Sequence, residues 1–279
     1  MHHWNTVAIV GVGLIGGSIG LALRERKLAR RIVGIGRRQQ SLDRAVRLKA
    51  IHAGTTDLAS GVAKADLIVV CTPVDAIVDH VTACAKYAPA RAIITDAGST
   101  KQHIVERLDA RLPGSSRFVG SHPLAGSEKT GPEHARSDLF EGRVVVVTPS
   151  RRSDRGDTQQ ITKFWESLGA RVVTMTPAAH DAAVAATSHA PHVVASALAA
   201  ATNSRDLPLV AGGWLDTTRI AAGDEELWRQ ILLDNRENTL AALERFQAAL
   251  AEFRSAMEHS DGTKLKHLLR KGRKRREEA

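Results

Sequence analysis

The chain has 279 residues, 43% hydrophobic and 25% charged, a composition that excludes a disordered chain and suits one large domain or two ordinary ones. Its formal charge of +9 raises the question of a nucleic-acid binder, but Lys264 to Ala279 carries +6 of it. The body is close to balanced, and the basic tail reads as a solvated helix end, so a nucleic-acid partner is not expected.

The first half alternates strands and helices. Val7 to Val10 is an apolar run ending at Gly11, followed by a helical stretch from Leu14 to Leu28. Arg31 to Ile35 is a second strand, Leu42 to Ile51 a helix, and Ala53 to Thr55 a short third strand. Asp66 to Cys71 is a buried strand and Asp75 to Lys86 a helix; Ala92 to Thr95, Arg117 to Gly120 and Arg143 to Thr148 are further strands. Thr158 to Leu168 and Arg171 to Met175 add a helix and a strand. Such alternation predicts βαβ units in a mostly parallel sheet. From Pro177 onward no strand run is visible, and helix-period segments cover Ala178–Ala201, Glu225–His259 and Thr263–Arg276. The expected architecture is α/β: a Rossmann-type domain over residues 1–176 and an all-α domain over 177–279.

Cys71 and Cys84 match no disulfide or metal spacing and read as small apolar residues. The start lacks a basic leader, and no run reaches the ~18 apolar residues of a membrane span, so a cytoplasmic setting without a membrane partner is expected.

Gly11-Val12-Gly13-Leu14-Ile15-Gly16 is a G-x-G-x-x-G run placed after a strand and opening a helix. Gly11 permits the tight turn, Gly13 the approach of a pyrophosphate and Gly16 close helix–strand packing, while the amides around Leu14 and Ile15 offer N–H groups to the phosphates. The second strand ends Gly36-Arg37-Arg38. It lacks the acid that binds a ribose hydroxyl in NAD sites, and Arg37 and Arg38 suit a 2′-phosphate, which favours NADP over NAD.

Chemistry gathers at the carboxyl ends of the strands. Three segments lie there: Cys71-Thr72-Pro73, Asp96 to Lys101, and Gly120 to Glu128. Thr72, Pro73 and Asp96 are candidate cofactor contacts, and His122 is placed as a general base beside a nicotinamide.

Gly13 to Ser18, Asp96 to Lys101, Gly120 to Glu128, Ser188-His189-Ala190-Pro191-His192 and Gly212 to Ala221 together resemble the prephenate/arogenate dehydrogenases of tyrosine biosynthesis, in the right order over nearly the whole chain. Ala190 stands where the family usually has leucine. The C-terminal regulatory domain of some members has no counterpart in these residues, so tyrosine feedback through it is not expected. The resemblance implies NAD(P)-dependent oxidative decarboxylation of prephenate or arogenate. His122 would accept the hydroxyl proton, Ser99 would support His122 and the nicotinamide, and Arg219 would hold a substrate carboxylate. Glu128 and Asp216 match acidic positions near the family's active-site entrance.

His189 and His192 share a helix face, with Pro191 marking a helix start or kink. They are either core residues or substrate contacts; further ligands for a metal are not apparent. Trp228 either lines the pocket or belongs to the core. The small apolar surface of Ala178–Ala201 leads to the expectation of a homodimer with interlocking helical domains. Two other readings are a β-hydroxyacid or imine dehydrogenase, against which the absence of lysine between Phe164 and Lys264 counts, and a non-catalytic dinucleotide sensor, against which His122 and Ser99 count.

Overall fold

The structure is a computed structural model that describes residues 4–127 and 129–278. Eight strands form one sheet in the order β3-β2-β1-β4-β5-β6-β7-β8. They are β1 (Trp4–Val10), β2 (Ala29–Ile35), β3 (Ala53–Thr55), β4 (Leu67–Val70), β5 (Ile93–Asp96), β6 (Arg117–Pro123), β7 (Val144–Thr148) and β8 (Arg171–Thr174). Only the β6–β7 pairing is antiparallel. The Val- and Ile-rich strands are buried because helices cover both faces.

On one face α1 (Leu14–Glu25), α2 (Gln39–Arg47) and α6 (Arg155–Ser167) enclose a cluster containing Ile9, Ile19, Leu42, Val147 and Trp165. On the other, α3 (Leu58–Val62), α4 (Val74–Tyr87) and α5 (Gln102–Arg111) enclose Val70, Ile77, Ile94 and Leu108. The strand order reverses between β1 and β4, and the crevice beyond that point is where α/β sheets bind ligands.

No strand lies beyond Thr174 among the described residues. The helices there are α7 (Pro177–Val184), α8 (Ala190–Ala201), α9 (Gly212–Thr218), α10 (Glu225–Asp234), α11 (Arg236–Glu258) and α12 (Gly262–Glu277). Ile231 of α10 joins the α4/α5 core, so this helix is docked onto the sheet domain.

Several boundaries differ from expectation for identifiable reasons. The second helix ends at Arg47 because Lys49 turns the chain with φ +60°. The run Ala178–Ala201 is interrupted by a π turn at Ala185–His189, just before Pro191, whose ring and missing N–H disfavour a regular i−4 bond. The run from Glu225 is broken at Asn235. The stretch around Arg219 is helical: α9 passes directly into a 3₁₀ turn at Arg219–Ala222. No helix among the described residues is long and apolar enough to cross a membrane.

Candidate active site

Gly11 has φ +91°, and a Cβ there would lie 2.6 Å from the carbonyl oxygen of Cys71; a Cβ on Gly16 would lie 2.2 Å from that of Gly11. Glycine is therefore required at both positions for the turn to close on β4. Beyond Gly13 the space is open, and no side chain caps the first turn of α1, where Leu14 and Ile15 stand. Those amides are free for an anion. The hydroxyls of Thr72 and Thr100, at the ends of β4 and β5, are buried without a hydrogen-bond partner. These features fit a dinucleotide lying across the strand ends, with Pro73 leading from Thr72 into α4. Arg37 and Arg38 are exposed at the end of β2.

Asp96 is engaged within the protein. It is fully buried, and its carboxylate is used within the protein: one oxygen accepts from the Lys101 ammonium and the Gly98 amide (2.9 Å), the other from the Ser121 amide (3.1 Å). It holds the β5–α5 loop in shape. Lys101 is equally buried, so the pair is desolvated on both sides. Ser121 completes this scaffold; its hydroxyl donates to the Asp96 carbonyl (2.5 Å) and accepts from Trp165 Nε1 (2.9 Å).

His122 is half-buried near the end of β6, where the pairing with β7 fixes its backbone. Its Nδ1 lies 2.8 Å from Nε2 of His180, whose Nδ1 lies 2.7 Å from Oδ1 of Asp181. No hydrogen bond joins Ser99 to His122; the partner that supports the ring is His180. Desolvation, with the nearby His180, Lys101 and His189, pushes the His122 pKa well below the usual imidazole value. The ring is therefore neutral at neutral pH. Burial opposes ionisation of Asp181, but hydrogen bonds from His180 and from the amides of Gln102 and Lys101 outweigh it and hold the carboxyl below its ordinary value.

His180 and Asp181, absent from the sequence reading, are the centre of the cluster. The adjacent His-Asp pair in the first turns of a helix starting at Pro177 was the available signal. Their separation from His122 along the chain hid the connection.

His189 is buried, with its Nδ1 3.1 Å from Nδ2 of Asn235, which also donates to the Asp181 carbonyl (2.8 Å). The break at Asn235 thus places a side chain between His189 and Asp181. Burial lowers the His189 pKa to about 4, against the pull of Asp181. His192, one helical turn on, stacks on Trp228 with ring centroids 3.6 Å apart and planes 13° from parallel. A Cβ on Gly223 would lie 2.6 Å from Trp228 and 3.1 Å from His192, so glycine there admits the stack. Trp228 also packs against the α4/α5 core.

Arg219 is exposed, and its 3₁₀ turn packs on α8, the helix of His192. Asp216 is exposed on α9. Glu128 lies outside the described residues. Among the described residues no group of three His, Cys, Asp or Glu side chains is arranged for a metal ion.

A family profile described as prephenate dehydrogenase, nucleotide-binding domain, matches residues 19–174, and one described as prephenate dehydrogenase, dimerization domain, matches residues 176–271. The chain belongs to the prephenate dehydrogenase family. It is 34% identical over 268 residues to a prephenate dehydrogenase of Bacillus subtilis, covering 94% of this chain and 72% of that one. It is 34% identical over 280 residues to a cyclohexadienyl dehydrogenase of Zymomonas mobilis, covering 97% and 94%. A crystal structure of prephenate dehydrogenase from Aquifex aeolicus, in complex with hydroxyphenyl propionate and NAD+, superposes with a TM-score of 0.90 at 32% identity, covering 98% of each chain. Family membership makes the fold a nicotinamide-dinucleotide fold and the chain an oxidoreductase.

Proposed function

We propose that the chain catalyses the oxidative decarboxylation of prephenate to 4-hydroxyphenylpyruvate and carbon dioxide, or of arogenate to tyrosine, in tyrosine biosynthesis. The observation that carries this reading, beside family membership, is a neutral, half-buried His122 at the carboxyl end of β6, its Nδ1 engaged and its other nitrogen left to meet a substrate.

Gly11, Gly13, Gly16 and the amides of Leu14 and Ile15 would hold the pyrophosphate, with Thr72, Pro73 and Thr100 nearer the nicotinamide. A bound nicotinamide supplies the acceptor for the hydride that leaves the hydroxyl-bearing ring carbon. His122 Nε2 takes the hydroxyl proton as that carbon becomes a carbonyl, work worth roughly 10²–10⁴ in rate. The bond to the ring carboxylate then breaks, its electron pair enters the ring, and carbon dioxide departs as the ring becomes aromatic. Arg219, with no ion-pair partner among the described residues, is the grip for the side-chain carboxylate, which does not react. His189 and His192, held neutral by burial, flank the site without adding charge that would stabilise the departing carboxylate. Ser99, half-buried in the loop pinned by Asp96 and Lys101, faces the nicotinamide side in this reading, and Asp216 stands at the entrance.

The cofactor is NADP in preference to NAD, on the grounds that Arg37 and Arg38 are exposed and unpaired where an acid would otherwise bind the ribose. The protein is a homodimer through residues 177–279, which also form the substrate side. Among the described residues their own buried apolar cluster is Ala185, Ala190 and Ala242, while Leu209, Leu215, Leu240, Leu250 and Met257 are exposed. A layer with so small a core needs a second copy to cover it.

The test is a steady-state assay of prephenate and arogenate, each against NAD and NADP, with product identified by mass. Turnover of either substrate supports the reading; turnover of neither, with the dinucleotide bound, rejects it. Light scattering at micromolar concentration tests the dimer, and a monomer rejects it.

A further inference from the structure

Resting on the reading of His122 as the base, we propose that His180 and Asp181 are positioning residues that set which nitrogen of His122 carries its proton and receive part of the charge it develops. The argument is a proton inventory. An ionised carboxylate only accepts, so Nδ1 of His180, 2.7 Å from Asp181 Oδ1, carries a hydrogen. With its one hydrogen on Nδ1, the neutral form of His180 has a bare Nε2. That atom lies 2.8 Å from His122 Nδ1, so the hydrogen between them belongs to His122. The bare nitrogen of His122 is therefore Nε2, the one free of protein partners. Water favours the opposite tautomer of imidazole, with the proton on Nε2, which would leave no lone pair on the nitrogen free of protein partners. The protein imposes the active form through His180.

The anchor is rigid. Asp181 Oδ1 also accepts from the Lys101 amide (2.8 Å) and Oδ2 from the Gln102 amide (2.9 Å). His180 and Asp181 are both buried. One carboxylate thus orders the support of the base and pins the start of α5, next to the loop that carries Ser99. As His122 gains the hydroxyl proton, its Nδ1–H bond to His180 strengthens, and the carboxylate behind stabilises the positive charge along the chain of rings. The same order of acceptor, imidazole and carboxylate operates in Ser-His-Asp triads, where turning the Asp into Asn imposes the wrong tautomer and lowers kcat about 10⁴-fold.

The experiment combines kinetics with nitrogen NMR of the full-length protein, labelled with ¹⁵N-histidine and bound to NADP+. In the wild type at neutral pH, His122 is expected to show a protonated Nδ1 and a bare Nε2. His180→Phe keeps an aromatic ring and removes the acceptor; it should move the proton to Nε2 and lower kcat about a hundredfold or more, with KM for prephenate and the dinucleotide Kd within about threefold. His180→Gln returns an acceptor to His122 and should recover at least about tenfold of that loss. A wild-type His122 protonated on Nε2, or a folded His180→Phe with undiminished kcat, overturns the proposal. The wild-type spectrum needs no variant to fold. His122→Asn, run in parallel, separates the two readings: undiminished turnover there rejects His122 as the base, whereas the tautomer measurement decides the role of His180 independently.

Discussion

The amide of Lys101 donates to Asp181 across 80 positions of sequence, at 2.8 Å, so the loop after β5 is tied to the first helix of the C-terminal part. The side chain of Lys101 turns the other way, into the core, to meet Asp96. One residue therefore holds both sides of the site.

Removing one partner of a buried ion pair leaves a charge without water or counter-charge, which costs about 3–5 kcal/mol. Lys101→Met is accordingly expected to lower the stability by that amount in denaturant titration. A loss within ~0.5 kcal/mol would mean that water reaches Asp96 and that the pair is not a structural element.

His122→Asn removes the acceptor at the end of β6 while leaving the glycine loop intact. The expected result is a kcat lowered at least about a hundredfold, with dinucleotide Kd nearly unchanged. An equal loss of cofactor affinity would assign His122 to structure.

Arg219→Ala removes the proposed grip on a carboxylate that keeps its charge throughout the reaction. Loss of one partner of a desolvated pair is worth about 2–5 kcal/mol, felt alike in ground and transition states. KM for prephenate should rise at least about thirtyfold, with kcat changed far less and the dinucleotide Kd unmoved. A collapse of kcat at constant KM would place Arg219 in the chemical step.

Arg37→Ala tests the cofactor. Tighter binding of NADP than of NAD should be lost in this variant, by about tenfold or more in the ratio of the two Kd values, since charge-assisted contacts to a phosphate are worth about 1.5–3 kcal/mol each. An unchanged ratio would show that the arginines at the end of β2 are merely solvated.

Acid should weaken the fold through its buried imidazoles. In the unfolded chain they take protons as pH drops through about 6.5. In the fold His189 stays neutral down to about 4, and His122 and His192 are depressed as well. Between these limits the unfolded state binds more protons, so stability falls as pH falls. The Tm is expected to drop by several degrees, on the order of 5 °C, from pH 7 to pH 5, and His189→Gln should make the dependence shallower. An identical slope in that variant would show that His189 is already charged in the fold.

Much of the fold was legible in the sequence because its signals are local. Most strands of the sheet contain a short apolar run, and the Gly11–Gly16 turn depends on positions where only glycine supplies the backbone geometry or the space. His122 could be found because it stands near a strand end, and the family resemblance rested on runs of neighbouring residues. What the tertiary structure decided lies in contacts between segments far apart. That Asp96 is spent on Lys101, Gly98 and Ser121 depends on how the β5–α5 loop folds back. That His180, rather than Ser99, supports His122 depends on where α7 crosses the end of β6, 58 positions later in the chain. The placing of Asn235 against His189 and Asp181 at the break between α10 and α11 is likewise a long-range contact that helical periodicity does not encode. Periodicity and turn chemistry are properties of adjacent residues, whereas the protonation state of a buried base is set by whatever the fold brings within about 3 Å of it.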